Sequence, residues 1–445
     1  MAQQLIVNGL VVTGGDNSKV IPGGAVCYDG ATIVEVGTTA DLEKKYPAAQ
    51  KRNVNGMVVM PGFICAHHHF YSTMARGMGI PGTPAANFVE VLERLWWKVD
   101  YALTMEDVKY SALIPLAECI RNGTTSIIDH HAGPSCREGS LDVIADTVKQ
   151  AGLRASLCYE VSDRNVAGGG VDENLRFIRR CQKEKDPQLA ALLGLHASFT
   201  VGDATLERCA AEARALGAGF HTHVAEDKSD VEHCQKTYGM GVVERFHKFG
   251  VTGEKSIFVH CIHIAEKEME ILAATKTAAV HNPESNMNNA VGAAKVLTML
   301  KKGVLVGLGT DGMGSDMPVQ MRCGYLLHRH EQRDPRVAFC EMPQLLLQNN
   351  RTIANRQFSV KVGELAAGCA ADIIVVDYIP PTPFGSDNFL GHFIFGMVDA
   401  TVDTTIGSGK VLMEGKKIVS LDEQAIAAKS RELAPKMWAR RRAND

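Results

Sequence analysis

The chain has 445 residues, 45% of them hydrophobic, and a formal net charge of −3 at neutral pH. So small an imbalance excludes the basic footprint of a nucleic-acid binder, and no apolar run reaches the roughly 20 residues of a membrane span. The 12 cysteines include no Cys-x-x-Cys pair, and no leader-like run follows Met1, which predicts free thiols and a cytoplasmic setting.

Residues 1–55 hold short β-type runs broken by Gly and Asn, and runs of the same texture return over 363–422. Neither set can cover its own apolar face, so the two ends are expected to form one small composite β-sandwich domain. Over 56–362, short buried strands alternate with helices such as 206–216 and 267–274. Candidate strands lie at 58–66, 125–131, 155–160, 191–196, 219–224, 257–261, 278–281 and 304–310. About eight β/α repeats is the count of a closed TIM-like (β/α)8 barrel, and the fold class is α/β. A doubly wound open sheet competes, but no Gly-x-Gly-x-x-Gly turn follows the first strand. Residues 423–445 read as a helix, and Arg440, Arg441 and Arg442 as its solvated end.

The informative feature is where histidines and acids fall. His67 and His69 follow the first strand, and His196, His223, His260 and His281 close the fourth to the seventh. Asp311 follows the eighth. In a barrel these carboxyl ends share one rim, where active sites are built. His67 and His69 share a side because side chains alternate along a strand, and can converge about 2 Å from one ion. His68 points the other way, and His263 lies beyond its strand end, so both are expected to be structural. His223 can add a third imidazole. Glu226, three residues on, is placed to move a proton between a metal-bound water and a leaving nitrogen. Asp311 can ligate the ion and accept the proton of the attacking water, while His260 can stabilise developing charge.

These residues lie in motifs that resemble the amidohydrolase superfamily, in its mononuclear aminohydrolase branch. They are Pro61-Gly-Phe with His-x-His, His223 with Glu226, Val259-His-Cys, His281-Asn-Pro-Glu-Ser-Asn and Gly309-Thr-Asp. Guanine deaminase, S-adenosylhomocysteine deaminase and triazine hydrolases belong there, and the overall likeness is greatest to the SsnA-type aminohydrolases. The resemblance spans essentially the whole chain. It implies metal ligation by His67, His69, His223 and Asp311, with Glu226 and His260 around the reacting centre. It also implies a substrate contact from His196 and a homodimer. Cys65 and Ala66 stand where many relatives carry Asn and Thr, and Ser198-Phe replaces Pro-Tyr. Binuclear relatives bridge two metals through a carboxylated lysine near the fourth strand's end. Residues 189–197 contain no lysine, so one divalent ion is expected, zinc ahead of ferrous iron.

The predicted reaction is hydrolytic deamination of a planar ring, guanine-like or isocytosine-like. The ion would lower the pKa of its water towards about 7. Trp96, Arg76 and His131 are candidate ring contacts, and the loop over 74–101 a candidate specificity lid. A chlorohydrolase would need no acid for its leaving group, which Glu226 argues against. A ring-opening amidase would favour two metals. A barrel kept only as a scaffold would be expected to have lost ligands, and the expected set is complete.

Overall fold

The first barrel strand is shorter than the sequence suggests, and Gly62 marks the reason. In the computed structural model, which describes residues 3–443, a Cβ at Gly62 would lie 2.2 Å from Thr125 Oγ1. Residues 1, 2, 444 and 445, at the outer ends of the expected terminal segments, lie outside the described residues. The run expected as one strand over 58–66 is therefore two. Val58–Pro61 pairs with Gln4–Val12 and Ile373–Asp377, while Phe63–His68 pairs with Thr124–His131 in the barrel. A backbone changing sheets at this crossing leaves no room for a side chain.

Val58–Pro61 sits inside a nine-stranded mixed sheet whose members come from both chain ends. Gln4–Val12, Val20–Asp29 and Thr32–Thr38 lie to one side of it, with Gln50–Asn53 paired to the first of these. Ile373–Asp377, Thr401–Gly407, Lys410–Glu414 and Lys417–Ile418 lie to the other. Ile6, Val26, Val59, Ile373 and Ile406 bury one shared apolar cluster, so each end supplies the cover the other lacks.

The barrel strands form two parallel sets. Phe63–His68, Thr124–His131, Arg154–Tyr159 and Leu189–Ala191 make one. Leu193–Leu195, Phe220–Val224, Ile257–His260, Ala278–His281 and Val306–Leu308 make the other. Leu189–Ala191 and Leu193–Leu195 are the halves of one interrupted strand, joined to its neighbour by the Leu192 amide on the Leu157 carbonyl and a Val161–Leu195 bridge. At the other seam, His68 bridges Asp311 and the Thr310 amide donates to the His67 carbonyl at 3.0 Å. Eight strand positions thus close on themselves, with helices such as Met105–Arg121, Asp203–Leu216 and Met317–Gln332 outside. No helix among the described residues is long and apolar enough to cross a membrane.

Arg154, 2% exposed, locks barrel to sheet. Its Nε and Nη2 lie 3.3 Å from Asp372 Oδ2, its Nη2 donates to Ser408 Oγ, and its Nη1 to the Pro187 carbonyl. Arg154→Ala leaves the buried Asp372 without its cation, which typically costs about 3–5 kcal/mol. The expected result is a clearly lowered thermal midpoint, and an unchanged melt would show that the pair contributes little.

Candidate metal centre and active site

Two imidazoles leave the first barrel strand on the same side, as its alternation requires. His67 Nε2 and His69 Nε2 lie 3.2 and 3.0 Å from Asp311 Oδ1. His223, ending Phe220–Val224, brings its Nε2 to 3.1 Å from His69 Nε2. Gly309 permits this closure, because a Cβ there would stand 2.9 Å from the His67 carbonyl. His68 turns away towards Ser315 Oγ at 3.3 Å, and His263 donates to the Val291 carbonyl.

The chemistry of this donor set fits one cation. His69 Nδ1 lies 2.6 Å from the His130 carbonyl, and His223 Nδ1 2.9 Å from the His196 carbonyl. A carbonyl only accepts, so both Nδ1 atoms carry a proton and both Nε2 atoms are turned towards the cluster as the ligating positions. Two Nε2 atoms 3.1 Å apart beside a carboxylate oxygen call for a positive charge between them, which a proton or a metal ion supplies. His67 Nδ1 is held by His221 Nε2 at 2.9 Å. His67, His69, His223 and Asp311 would hold the ion, and the site is one for a divalent metal. His260 lies in the same group, since ligand-type atoms of His67, His223, His260 and Asp311 all fall within 4.8 Å of one another. Its Nδ1 accepts from Asn286 Nδ2 at 3.2 Å, which puts the proton on Nε2 and makes that atom a donor.

Around this cluster stand the groups that handle protons. Glu226 Oε2 lies 3.4 Å from His260 Nε2, and its Oε1 accepts from Asn289 Nδ2. Burial, then the charge of Asp311, push Glu226 well above the usual carboxyl range. Burial alone would raise Asp311 too, but the His67 and His69 rings hold it well below the ordinary value. The two neighbouring carboxyls are thereby pushed in opposite directions, Glu226 towards its neutral form and Asp311 towards its charged form, as suits an acid–base pair. Ser285 Oγ donates to Asp311 Oδ2. His260 and Asp311 adopt left-handed backbone, with φ of 70° and 54°. Such residues cost about 1–3 kcal/mol each and cluster at functional sites.

The cluster opens into a cavity of about 880 Å³. His196, Trp96 and Trp97 line it, with Phe88, Leu92 and Phe199. Arg76 and His131 do not. Arg76, its side chain 48% exposed, pairs with Glu118 on the outer helix instead. His131 is buried between the rings of Tyr71 and Tyr159. Its neighbour His130 faces the centre instead, 4.8 Å from the His223 ring. His130, His221, Ser285, Asn289, Asp100 and Glu160 escape the sequence reading. The sequence pointed to His131 rather than to its neighbour, and Asp100 and Glu160, within Leu95-Trp-Trp-Lys-Val-Asp and Ser156-Leu-Cys-Tyr-Glu, carry no role there. His281 pairs with His328 at 3.2 Å, away from the metal cluster.

The segment over 70–104 is no bare loop: it holds the helices Phe88–Val91 and Trp97–Ala102, joined by a π-helical turn over Leu92–Trp96. The C-terminal helix Glu423–Ala443 binds it at three points, so its basic end is not merely solvated as expected. Trp438 Nε1 donates to the Met74 carbonyl and Arg440 Nε to the Ala102 carbonyl, both at 2.7 Å. Arg441, 2% exposed, donates to the Arg94 carbonyl. A charged hydrogen bond contributes about 1.5–3 kcal/mol, so Arg441→Ala should loosen this wall. The expected result is a KM raised by roughly tenfold with kcat nearly unchanged. Equal losses in both constants would place the effect at the chemistry instead.

A model described as the amidohydrolase family matches residues 58–412. The chain belongs to the amidohydrolase family. A second model, an imidazolonepropionase-like composite domain of bacteria, matches residues 24–49. This amidohydrolase is 31% identical to a 5-methylthioadenosine/S-adenosylhomocysteine deaminase of Pelotomaculum thermopropionicum, over 98% of both chains. It is 30% identical to a 5'-deoxyadenosine deaminase of Methanosarcina mazei, over 99% of both. Among solved structures, an adenosine deaminase of Xanthomonas campestris with bound zinc superposes with a TM-score of 0.85 at 24% identity, covering 98% of each chain. These relatives place the amidohydrolase in the aminohydrolase branch.

Proposed function

We propose that this amidohydrolase hydrolytically deaminates an adenine-type nucleoside, exchanging the amino group of its six-membered ring for oxygen and releasing ammonia. The observation that carries the reading is Glu226, buried and raised, beside the charged Asp311 and the donor Nε2 of His260. Among the aminopurine-type rings expected from the sequence, the adenine type is proposed because relatives at 30–31% identity bear the names of adenosine-type deaminases.

The bound ion supplies a water whose pKa falls towards about 7. Asp311 receives a proton from the attacking water, steadied by Ser285 on its other oxygen. Glu226 delivers its own proton to the ring nitrogen beside the attacked carbon, which keeps charge from building on the ring. His260 Nε2 donates to the oxygen added at that carbon. Asp311 then passes its proton to the amino group, which leaves as ammonia, and Glu226 recovers a proton from the new hydroxyl. One water is consumed and both carboxyls return to their starting state. Trp96, Trp97 and Phe88 offer faces on which the ring can stack.

The same reading takes zinc as the ion, His196 as a ring contact, and a cytoplasmic homodimer as the working form. The test is ammonia release from adenosine, 5'-deoxyadenosine, guanine and a pterin, with metal content and molecular mass measured on one preparation. Release from the adenosines with about one zinc per chain supports it. A zinc-loaded protein that leaves the adenosines untouched and deaminates guanine or the pterin overturns it.

A further inference from the structure

The cavity wall is unusual in charge. Asp100, Glu160, Glu226, Asp227, Asp230 and Asp311 all line it, and the described residues lining it include no lysine or arginine. Four of these acids are already engaged. Asp311 belongs to the metal cluster, Glu226 to the proton path, Asp227 accepts from the Ser229 amide, and Asp230 accepts from the Phe199 and Ala225 amides. Asp100 and Glu160 have no such task.

They form a separate cluster with Arg164, on the wall that carries Trp97 and His196. The Arg164 guanidinium pairs with Glu160, lies 3.4 Å from Asp100 Oδ2, and stacks 4.6 Å from the centre of the Trp97 ring. Asp100 is 1% exposed and Glu160 6%. Asp100 Oδ1 and Trp97 Nε1 are buried without a hydrogen-bond partner. Unsatisfied buried polar atoms at a cavity wall mark where a ligand supplies the missing partner. One guanidinium facing two carboxyls leaves the cluster short of one positive charge, which a proton on Asp100 supplies when no ligand is there, since burial and then the charge of Glu160 push that carboxyl up to about 8.

We propose that Asp100 and Glu160, bridged by Arg164, form a charge-selective subsite that takes hydrogen-bond donors of a neutral or cationic substituent and excludes anionic ones. The proposal rests on the deaminase reading for the position of the ring, and deepens it by naming the class of substituent beyond that ring. A donor satisfies Asp100 Oδ1, and a cation additionally supplies the missing positive charge. A carboxylate or phosphate would add a further negative charge to a wall that has no free cation to meet it. By this chemistry the cavity accepts 5'-hydroxyl or 5'-amino nucleosides and rejects nucleotides and nucleoside carboxylates.

The experiment compares three adenosines that differ only at the 5' position: the 5'-hydroxyl of adenosine itself, 5'-amino and 5'-carboxylate. With zinc-loaded enzyme, kcat/KM for the first two is expected within about tenfold, and for the carboxylate at least about 100-fold lower. Glu160→Gln should narrow the ratio between the amine and the carboxylate with metal content unchanged, a change of preference that general unfolding would not give. Binding of the same compounds to Glu226→Gln, read by calorimetry, tests the subsite without turnover. If none of the three is deaminated yet the amine binds far better than the carboxylate, the deaminase reading fails and the subsite stands. If the carboxylate is bound and turned over as well as the amine, the subsite proposal is overturned.

Discussion

Glu226→Gln is expected to lower kcat by about 10³-fold, within the range of 10² to 10⁴ typical of general acid–base catalysis, with the metal content unchanged. Glutamine keeps the shape of the side chain, and its oxygen can still accept from Asn289. It cannot carry the proton that burial and the Asp311 charge hold on Glu226. The loss should therefore fall on kcat, with little change in KM, since the proton moves only in the transition state. Metal analysis alongside single-turnover rates checks both halves. A variant that keeps its metal and deaminates at the wild-type rate would remove Glu226 from the proton path.

Asp311→Asn should do more damage and do it differently. Asp311 Oδ1 stands 3.2 and 3.0 Å from His67 and His69, and in the proposed mechanism the carboxylate serves the metal and the proton transfer together. An amide offers the ion no negative charge and cannot accept the water's proton. The expected outcome is a loss of at least about 10⁴-fold in kcat, with metal content well below that of the wild type. Removing the metal from the wild-type protein with a chelator should abolish activity, and zinc should restore it. The same treatment should not rescue Asp311→Asn. An asparagine variant with full metal and only a tenfold loss would mean that another group, such as His260, accepts the proton. The two substitutions thus separate along one axis: Glu226 affects the chemistry alone, Asp311 the chemistry and the ion.

Much of the fold was legible because it depends on local periodicity. Short apolar strands alternating with helices specify a parallel barrel whatever their partners are, and two strand sets too small to cover themselves must combine. The strand-end rule then placed His67, His69, His223, His260 and Asp311 on one rim before any distance was known. Period-two alternation put His67 and His69 on one side and His68 on the other.

What the sequence could not decide was every choice between equivalent local options. His130 and His131 are neighbours on one strand, and only the barrel's closure determines which faces the ion. Arg76 follows the metal motif closely in sequence, yet its charge is met by Glu118, 42 residues away. Asp100, Glu160 and Arg164 belong to no catalytic motif and become a cluster only when two strand-end segments meet. The break at Gly62 follows from Thr125 lying against it. The arginines at the end of the last helix bind carbonyls more than 300 residues earlier, with separations of 338 and 347. By itself, then, the sequence determined the fold class, the rim and its reactive side chains, since alternation and strand ends are properties of a short stretch of chain. Tertiary structure alone decided the lid's anchoring, the charge of the cavity wall and the partner of each buried polar group, because those energies depend on contacts between segments that no local pattern relates.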